Sequence, residues 1–139
     1  MAVATDNAEV FQSYLRDVWE NGDLAAIGDY IAPDFVNHNP VPFVGADRDG
    51  EAALVGMFLG SFSNLKTKVE EAVPEGDRLA VRWTATGTHT GKFAGVPPTG
   101  KDVTMIGIEF LRFADGKIRE VWINFDMAGL LQQLGAVPS

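Results

Sequence analysis

The sequence contains no cysteine and only two histidines among its 139 residues. Disulfide bonds are therefore excluded, and so are the thiolate or multi-histidine sets that usually hold zinc. The sequence also lacks a phosphate-binding loop, a dinucleotide fingerprint, an HExxH pair and a nucleophile elbow. These absences predict a protein that needs neither a metal nor an organic cofactor.

Positive charge is scarce, with 11 Lys and Arg against 19 Asp and Glu and a net charge of −8. A protein of that sign repels phosphate backbones, which argues against nucleic acid as a partner. No apolar run approaches the roughly 20 residues that a membrane-spanning helix needs. The first ten residues, MAVATDNAEV, lack the basic and apolar segments of a secretory signal. We therefore expect a cytoplasmic protein that works without a membrane.

The length and the spacing of apolar residues indicate one domain over 1–139, since the chain has no linker and no repeat. Helical spacing predicts helices over 7–21 and 24–31 and a third that begins near Asp47. Alternating patterns then predict strands over 67–73, 79–90, 101–113 and 117–125, and a last helix over 127–134. Helices followed by a strand meander are typical of the α+β class, with helices packed on one face of a curved sheet.

The last predicted strand carries different chemistry on its two faces. One face holds Glu120, Trp122, Asn124 and Asp126, and the other holds Val121, Ile123 and Phe125. A carboxylate beside an indole suits a binding or catalytic site, so we expect the first face to line a cavity. The second face is apolar, and we expect it to be covered by another subunit. The alternative for Asp126 is a cap on the helix that begins at Met127.

Three more polar residues have two interpretations each. His38 stands in the extended segment VNHNP, where it either shuttles a proton or simply occupies a turn. His89 lies at the start of a glycine-rich turn and is either a site residue or an exposed strand end. Glu109 interrupts an apolar strand, so it either pairs with an arginine such as Arg82 or lines a pocket. The aromatic residues Trp19 and Trp83 belong to the core or to a pocket wall.

Four segments together resemble the SnoaL-like polyketide cyclase family of the nuclear transport factor 2-like superfamily. They are DFVNHNP, GTHTGKFAGVPPTGK, IEFLRFADGKIREVW and FDMAGLLQQLGAVP. The resemblance covers nearly the whole chain and implies a cone-shaped α+β barrel, with N-terminal helices on a curved, mostly antiparallel sheet. It also implies a homodimer or homotetramer, and a structural role for the rigid turn at 87–100.

In the cyclases of this family an aspartate at the end of the last long strand is the general acid and base, and Asp126 holds that motif position. The implied reaction is an intramolecular aldol cyclisation of a planar polyketide methyl ester, or a related isomerisation. No cofactor is needed because the substrate delocalises the carbanion. His38 is the second catalytic candidate, as a neutral donor to the enolate. The expected substrate contacts are Trp122, Asn39, Glu109, Tyr14, Trp19, Phe35, Trp83 and His89.

Other functions on the same pocket stay open at this level. One is an accessory protein that binds a small apolar ligand without turnover. Others are a hydroxylase-like enzyme and an epoxide hydrolase with an Asp-Arg-Asp arrangement. The hydrolase would require Arg82 or Arg112 to pair with Asp126 and with a second acid such as Glu109.

Overall fold

A layer of N-terminal helices covers one face of a five-stranded sheet. The computed structural model describes residues 3–42 and 44–136, with side chains from Asn7 onward. The helices are α1 Val3–Tyr14, α2 Ile27–Tyr30, α3 Arg48–Ser61 and α4 Met127–Gln133. The strands are β1 Ile31–Asn37, β2 Phe62–Glu75, β3 Arg78–His89, β4 Asp102–Ala114 and β5 Lys117–Phe125. Among the described residues, no helix is long and apolar enough to cross a membrane.

The helical layer is less regular than its sequence pattern. Helix α1 continues directly into a π-helical segment, Leu15–Glu20, and a short 3₁₀ turn, Leu24–Ala26, precedes α2. The wider π-helical turn keeps Leu15 and Val18 in the core. Helix α3 begins as predicted, because the Asp47 side chain accepts a hydrogen bond from the Gly50 N–H at 2.9 Å.

The strands follow the order β1-β5-β4-β3-β2, so β1 and β2 form the edges. Strands β2 to β5 are antiparallel neighbours, whereas β1 pairs with β5 in parallel. Gly76 and Gly116 have φ values of 58° and 75° in the tight turns after β2 and β4, where glycine adopts a positive φ without strain. Strand β1 was not predicted. Its Pro33 cannot donate to a ladder, and only an edge strand tolerates that.

The register between β4 and β5 decides which side chains face the helices. Val121, Ile123 and Phe125 lie directly opposite Leu111, Glu109 and Gly107. Residues paired in this way share a face, so these apolar side chains of β5 point inward. The prediction that they face outward is therefore wrong. The outward apolar set comes mainly from β4, where Ile106, Ile108 and Phe110 are 52%, 60% and 40% exposed.

Candidate functional site

A cavity of about 90 Å³ lies between the helical layer and the inner face of the sheet. Its apolar lining comprises Leu15, Trp19, Leu54, Phe58, Leu65, Trp83, Ala85, Met105, Val121, Ile123 and Phe125. The polar residues among the described lining are Tyr14, Asn37, Glu51, Thr67 and Glu109. Mostly apolar walls with a few convergent polar groups are typical of a small-molecule site.

Glu109 projects from the middle of β4 into this cavity. Glu109 is half-buried, and its carboxyl borders the cavity. The Trp83 Nε1–H donates to Glu109 Oε2 at 2.7 Å. Desolvation, and then the charge of Glu51, raise the pKa of Glu109 to about 8, although the Trp83 hydrogen bond opposes that rise. Glu109 is therefore mainly a neutral acid at pH 7.

Gly107 leaves the space that the Trp83 indole occupies. The two residues are directly paired across β3 and β4. A Cβ atom at position 107 would lie 2.7 Å from Trp83 Cε2 and closer still to Cζ2. The missing side chain therefore lets the indole lie across β4 and reach Glu109, two residues further along the same face.

Gly107→Ala is expected to displace the indole and break its hydrogen bond to Glu109. Overpacking of this kind costs about 1 to 3 kcal/mol of stability. The melting temperature and the Trp83 indole N–H resonance measure the two effects. Gly60→Ala is the matched control, since nothing lies within 4 Å of a Cβ there and alanine favours helix α3. An unshifted indole resonance in Gly107→Ala would contradict this role for the glycine.

A second carboxyl group enters the cavity from the helical side. Glu51 lies in the first turn of α3, and the buried Tyr14 hydroxyl donates to its Oε2. Desolvation raises the pKa of Glu51, while the Tyr14 hydrogen bond opposes the rise. Desolvation and the Glu51 charge together raise the pKa of Tyr14 well above its usual value. Tyr14 is thus a neutral donor at any physiological pH.

The π-helical segment is anchored beside the same cavity. Glu20 accepts from the Thr67 N–H at 2.7 Å and from the Thr67 hydroxyl at 2.6 Å. This joins the end of the segment to β2, and it holds Trp19 and Thr67 in the cavity wall. π-Helical turns often occur at functional sites. On the opposite side Asn37 Oδ1 accepts from the Asn39 N–H at 2.9 Å, which fixes the buried amide of Asn37.

Comparison with known proteins identifies the family of this chain. The model of the SnoaL-like polyketide cyclase family matches residues 9–134. The chain belongs to the SnoaL-like polyketide cyclase family. It is 31% identical over 124 residues to nogalonic acid methyl ester cyclase from Streptomyces nogalater, covering 84% of this chain and 89% of that one.

Solved structures agree with this assignment to the SnoaL-like family. AclR from Streptomyces galilaeus, a candidate hydroxylase, is 33% identical with a TM-score of 0.84, covering 98% of this chain and 89% of AclR. IdmH from Streptomyces antibioticus, a candidate polyketide cyclase, is 33% identical with a TM-score of 0.80, covering 93% of this chain and 98% of IdmH. The expected α+β barrel, with N-terminal helices on a curved and mostly antiparallel sheet, is confirmed.

Four residues that the sequence suggested do lie in the SnoaL-like cavity: Tyr14, Trp19, Trp83 and Glu109. The interpretation of Glu109 as an ion pair with Arg82 is wrong, because Arg82 contacts Glu71 at 3.5 Å instead. Sequence reasoning missed Glu51 and Asn37. The spacing of Glu51 could have identified it, because Glu51 shares a helix face with the apolar residues Leu54 and Phe58.

The face of β5 with Asp126 points away from the cavity. Asp126 is exposed, and its Oδ1 accepts from the Gly129 N–H at 2.8 Å, which caps α4. Gly129 makes room for this cap, because a Cβ there would lie 2.8 Å from Asp126 Cγ. The prediction that this face lines the cavity is wrong. The sequence pattern fits either face, and the register with β4 selects the other one.

His38 lies on the same outer side as Trp122. The two rings stack with centroids 4.4 Å apart, and His38 Nε2 is 2.9 Å from Glu120 Oε1. Asn39 Oδ1 accepts from the Ile123 N–H at 3.1 Å and so extends the β1–β5 edge. His38, Asn39 and Trp122 are therefore not part of the cavity lining, contrary to prediction. Ring stacking and these hydrogen bonds hold them on the outer surface.

Phe35 and His89 also lie away from the cavity. Phe35 is 3% exposed and packs in the core behind it. His89 is fully buried against Phe62, and its Nδ1 accepts from the Thr99 N–H at 3.1 Å. The expectation that these two residues contact substrate finds no support in their positions. His89 instead attaches the loop between β3 and β4, in line with the structural role expected for that turn.

The structure makes a specific prediction for Asp126. Asp126→Ala is expected to lose the α4 cap and about 0.5 to 2 kcal/mol of stability, whereas Asp126→Asn keeps an acceptor and most of that stability. Melting curves of both variants measure the difference. Equal melting temperatures for the two variants would show that the hydrogen bond to Gly129 contributes nothing.

Proposed function

We propose that this SnoaL-like protein is a cofactor-independent polyketide cyclase that closes a ring by intramolecular aldol addition, with Glu109 as its acid. One observation carries the proposal: a carboxyl group stands in an otherwise apolar cavity, held by the Trp83 indole and neutral at pH 7. Such a group can donate a proton to a carbonyl oxygen as the new carbon–carbon bond forms.

An aldol cyclisation of this kind requires few catalytic groups, and the cavity contains groups of the required type. Removing a proton next to a carbonyl gives an enolate that a planar polyketide delocalises by itself. The enzyme then needs to exclude water, hold the two reacting ends together and exchange protons. Apolar walls and a few enclosed proton donors serve these purposes. A related isomerisation would need the same groups.

The substrate class follows from the lining. Of the described residues that line the cavity, none is Lys, Arg or His, and two are glutamates. A carboxylate ligand would meet like charge without a counter-ion, so an uncharged, planar ligand fits best. A polyketide methyl ester has this character, and the similarity to nogalonic acid methyl ester cyclase supports testing that class first.

The test is to incubate the purified protein with aromatic polyketide methyl esters and to analyse the products by mass and NMR. The expected product has the mass of the substrate and one additional ring, and dialysis against a chelator leaves the rate unchanged. Binding without turnover would favour the accessory role instead. A product heavier by one oxygen atom would favour a hydroxylase, the alternative that the similarity to AclR supports.

The epoxide hydrolase alternative has no support from the ion pairs. Arg112 pairs with Glu120 and lies 4.0 Å from Asp77, and Arg82 pairs with Glu71. Neither arginine bridges Asp126 and Glu109. The catalytic roles of Asp126 and His38 rest on motif position alone and stay predictions. Turnover of Asp126→Asn and His38→Gln, set against that of Glu109→Gln, decides between the two assignments.

We also propose that two copies associate through the outer sheet face formed by Ile106, Ile108, Phe110 and Trp122. The β4 members are 40% to 60% exposed and adjacent, a larger apolar patch than isolated surface residues make. The sequence predicted a homodimer or homotetramer through Val121, Ile123 and Phe125, which face the cavity instead. An exposed apolar sheet face suits the packing of a second, identical sheet.

Ile108→Glu is expected to convert the dimer or tetramer into a monomer, because it places a charge in the centre of the apolar patch. Sedimentation at micromolar concentration measures the change. Leu24→Glu is the control, since Leu24 is 39% exposed but lies in the 3₁₀ turn of the helical layer and not on the outer sheet face. A wild-type protein that sediments as a monomer would overturn the proposal.

A further inference from the structure

We propose that Glu51 is a second catalytic residue, which takes the substrate's α-proton as general base while Glu109 protonates the carbonyl oxygen. This inference rests on the proposed cyclase function and assigns the two proton transfers to two walls of one cavity. Glu51 comes from helix α3 and Glu109 from strand β4. Both carboxyl groups line the same cavity.

The surroundings of Glu51 and Glu109 favour a state in which the two carboxyl groups together hold one proton. Tyr14 is the third titratable group that lines the cavity, and no Lys, Arg or His is among the described lining residues. Two carboxylates in one poorly hydrated space without a cation repel each other, so one of them keeps its proton. Such a pair titrates as a unit, with one ionised and one neutral member near neutral pH.

Local structure decides which member is ionised. Glu51 lies in the first turn of the 14-residue helix α3, directly after the residues that the Asp47 cap organises. The positive end of a helix favours a negative charge there, and the Tyr14 hydroxyl donates to the same carboxylate. Glu109 is in the middle of a strand, and its one hydrogen-bond donor among the described residues is the neutral Trp83 indole. Glu51 is therefore the base, and Glu109 is the acid.

The proton balance of the cycle is complete. The Glu51 carboxylate removes a proton from the carbon next to one carbonyl. The resulting enolate carbon forms a bond to the carbon of a second carbonyl, whose π-bond breaks. The oxygen of that carbonyl takes the proton of Glu109. The product is an isomer of the substrate, and a proton must pass from Glu51 to Glu109, directly or through water, before the next turnover.

The test compares Glu51→Gln, Tyr14→Phe and Glu109→Gln in the full-length protein. Glu51→Gln should lower kcat on the order of 10²- to 10⁴-fold and abolish the acid limb of the pH–rate profile. Glu109→Gln should abolish the alkaline limb. Tyr14→Phe removes a hydrogen bond that lowers the pKa of Glu51, so it should move the acid limb to higher pH. Asp49→Asn, exposed in the same helical turn, is the control and should match wild type.

The outcomes separate this inference from the proposed function. If Glu109→Gln loses turnover but Glu51→Gln keeps the wild-type kcat and acid limb, Glu51 is not the base and the cyclase assignment stands. If neither variant loses turnover, both proposals are wrong. Carboxyl ¹³C NMR titration of the free protein supplies a readout that needs no substrate. Glu51→Gln should lower the pKa of Glu109, and an unchanged Glu109 titration would overturn the pairing.

Discussion

Glu109→Gln is expected to reduce cyclase turnover by on the order of 10²- to 10⁴-fold, the contribution of a positioned acid or base. Glutamine has nearly the same size, and its oxygen can still accept from Trp83 Nε1. It cannot deliver a proton to a developing alkoxide. Substrate affinity should therefore change far less than kcat, because the apolar walls of the cavity remain intact.

Steady-state kinetics measure the change in kcat, and ligand titration of the same preparations measures the change in substrate affinity. Glu71→Gln is the matched control, because Glu71 is exposed on β2 and its carboxylate pairs with Arg82 at 3.5 Å. The Glu71→Gln variant should have the kcat of the wild type. Full turnover by Glu109→Gln would remove the central residue of the proposed function and return the acid–base role to the motif candidate Asp126.

The second large effect is a loss of stability as the pH rises. Glu109 has a pKa of about 8 in the folded protein against an ordinary value of 4.5, so between those values the folded state binds the proton that the unfolded state has released. The free energy of unfolding should then fall by roughly 1 kcal/mol per pH unit across this window and level off above it. The stabilisation is fully present below the lower value.

Chemical denaturation from pH 4.5 to 9 measures this slope. Glu109→Gln should unfold with a shallower dependence on pH and should be more stable than wild type at pH 9, because it no longer has a carboxylate to desolvate. Glu51 also has a raised pKa and keeps part of the slope in that variant. Parallel stability curves for the two proteins would show that Glu109 is well hydrated and would contradict its proposed protonation at pH 7.

The main elements of this fold could be predicted from the sequence because local rules define them. Periodicity along the chain distinguished helices from strands. Asp47 was recognisable as the start of α3 from its position alone. Strand β1 escaped prediction because it follows a short helix without a break and pairs only with β5, a strand far away in sequence.

The candidate site also combines residues that the sequence made recognisable with contacts that only the fold creates. Glu109 was recognisable as a carboxylate in an apolar strand, but its partner Trp83 is 26 positions away and depends on the register of β3 with β4. Glu51 meets Tyr14 across 37 positions, and nothing local to either residue indicates that contact. The family motif pointed to Asp126, but it did not indicate which side of the sheet the Asp126 side chain faces.

The sequence by itself determined the family, the element types and the kinds of side chain available for chemistry. Only the tertiary structure decided which of those side chains share a cavity. Both faces of β5 carry apolar and polar residues, so alternation along one strand cannot say which face is inside. Pairing with β4 and coverage by the helices settle that choice, and they place Glu109 and Glu51 inside and Asp126 outside.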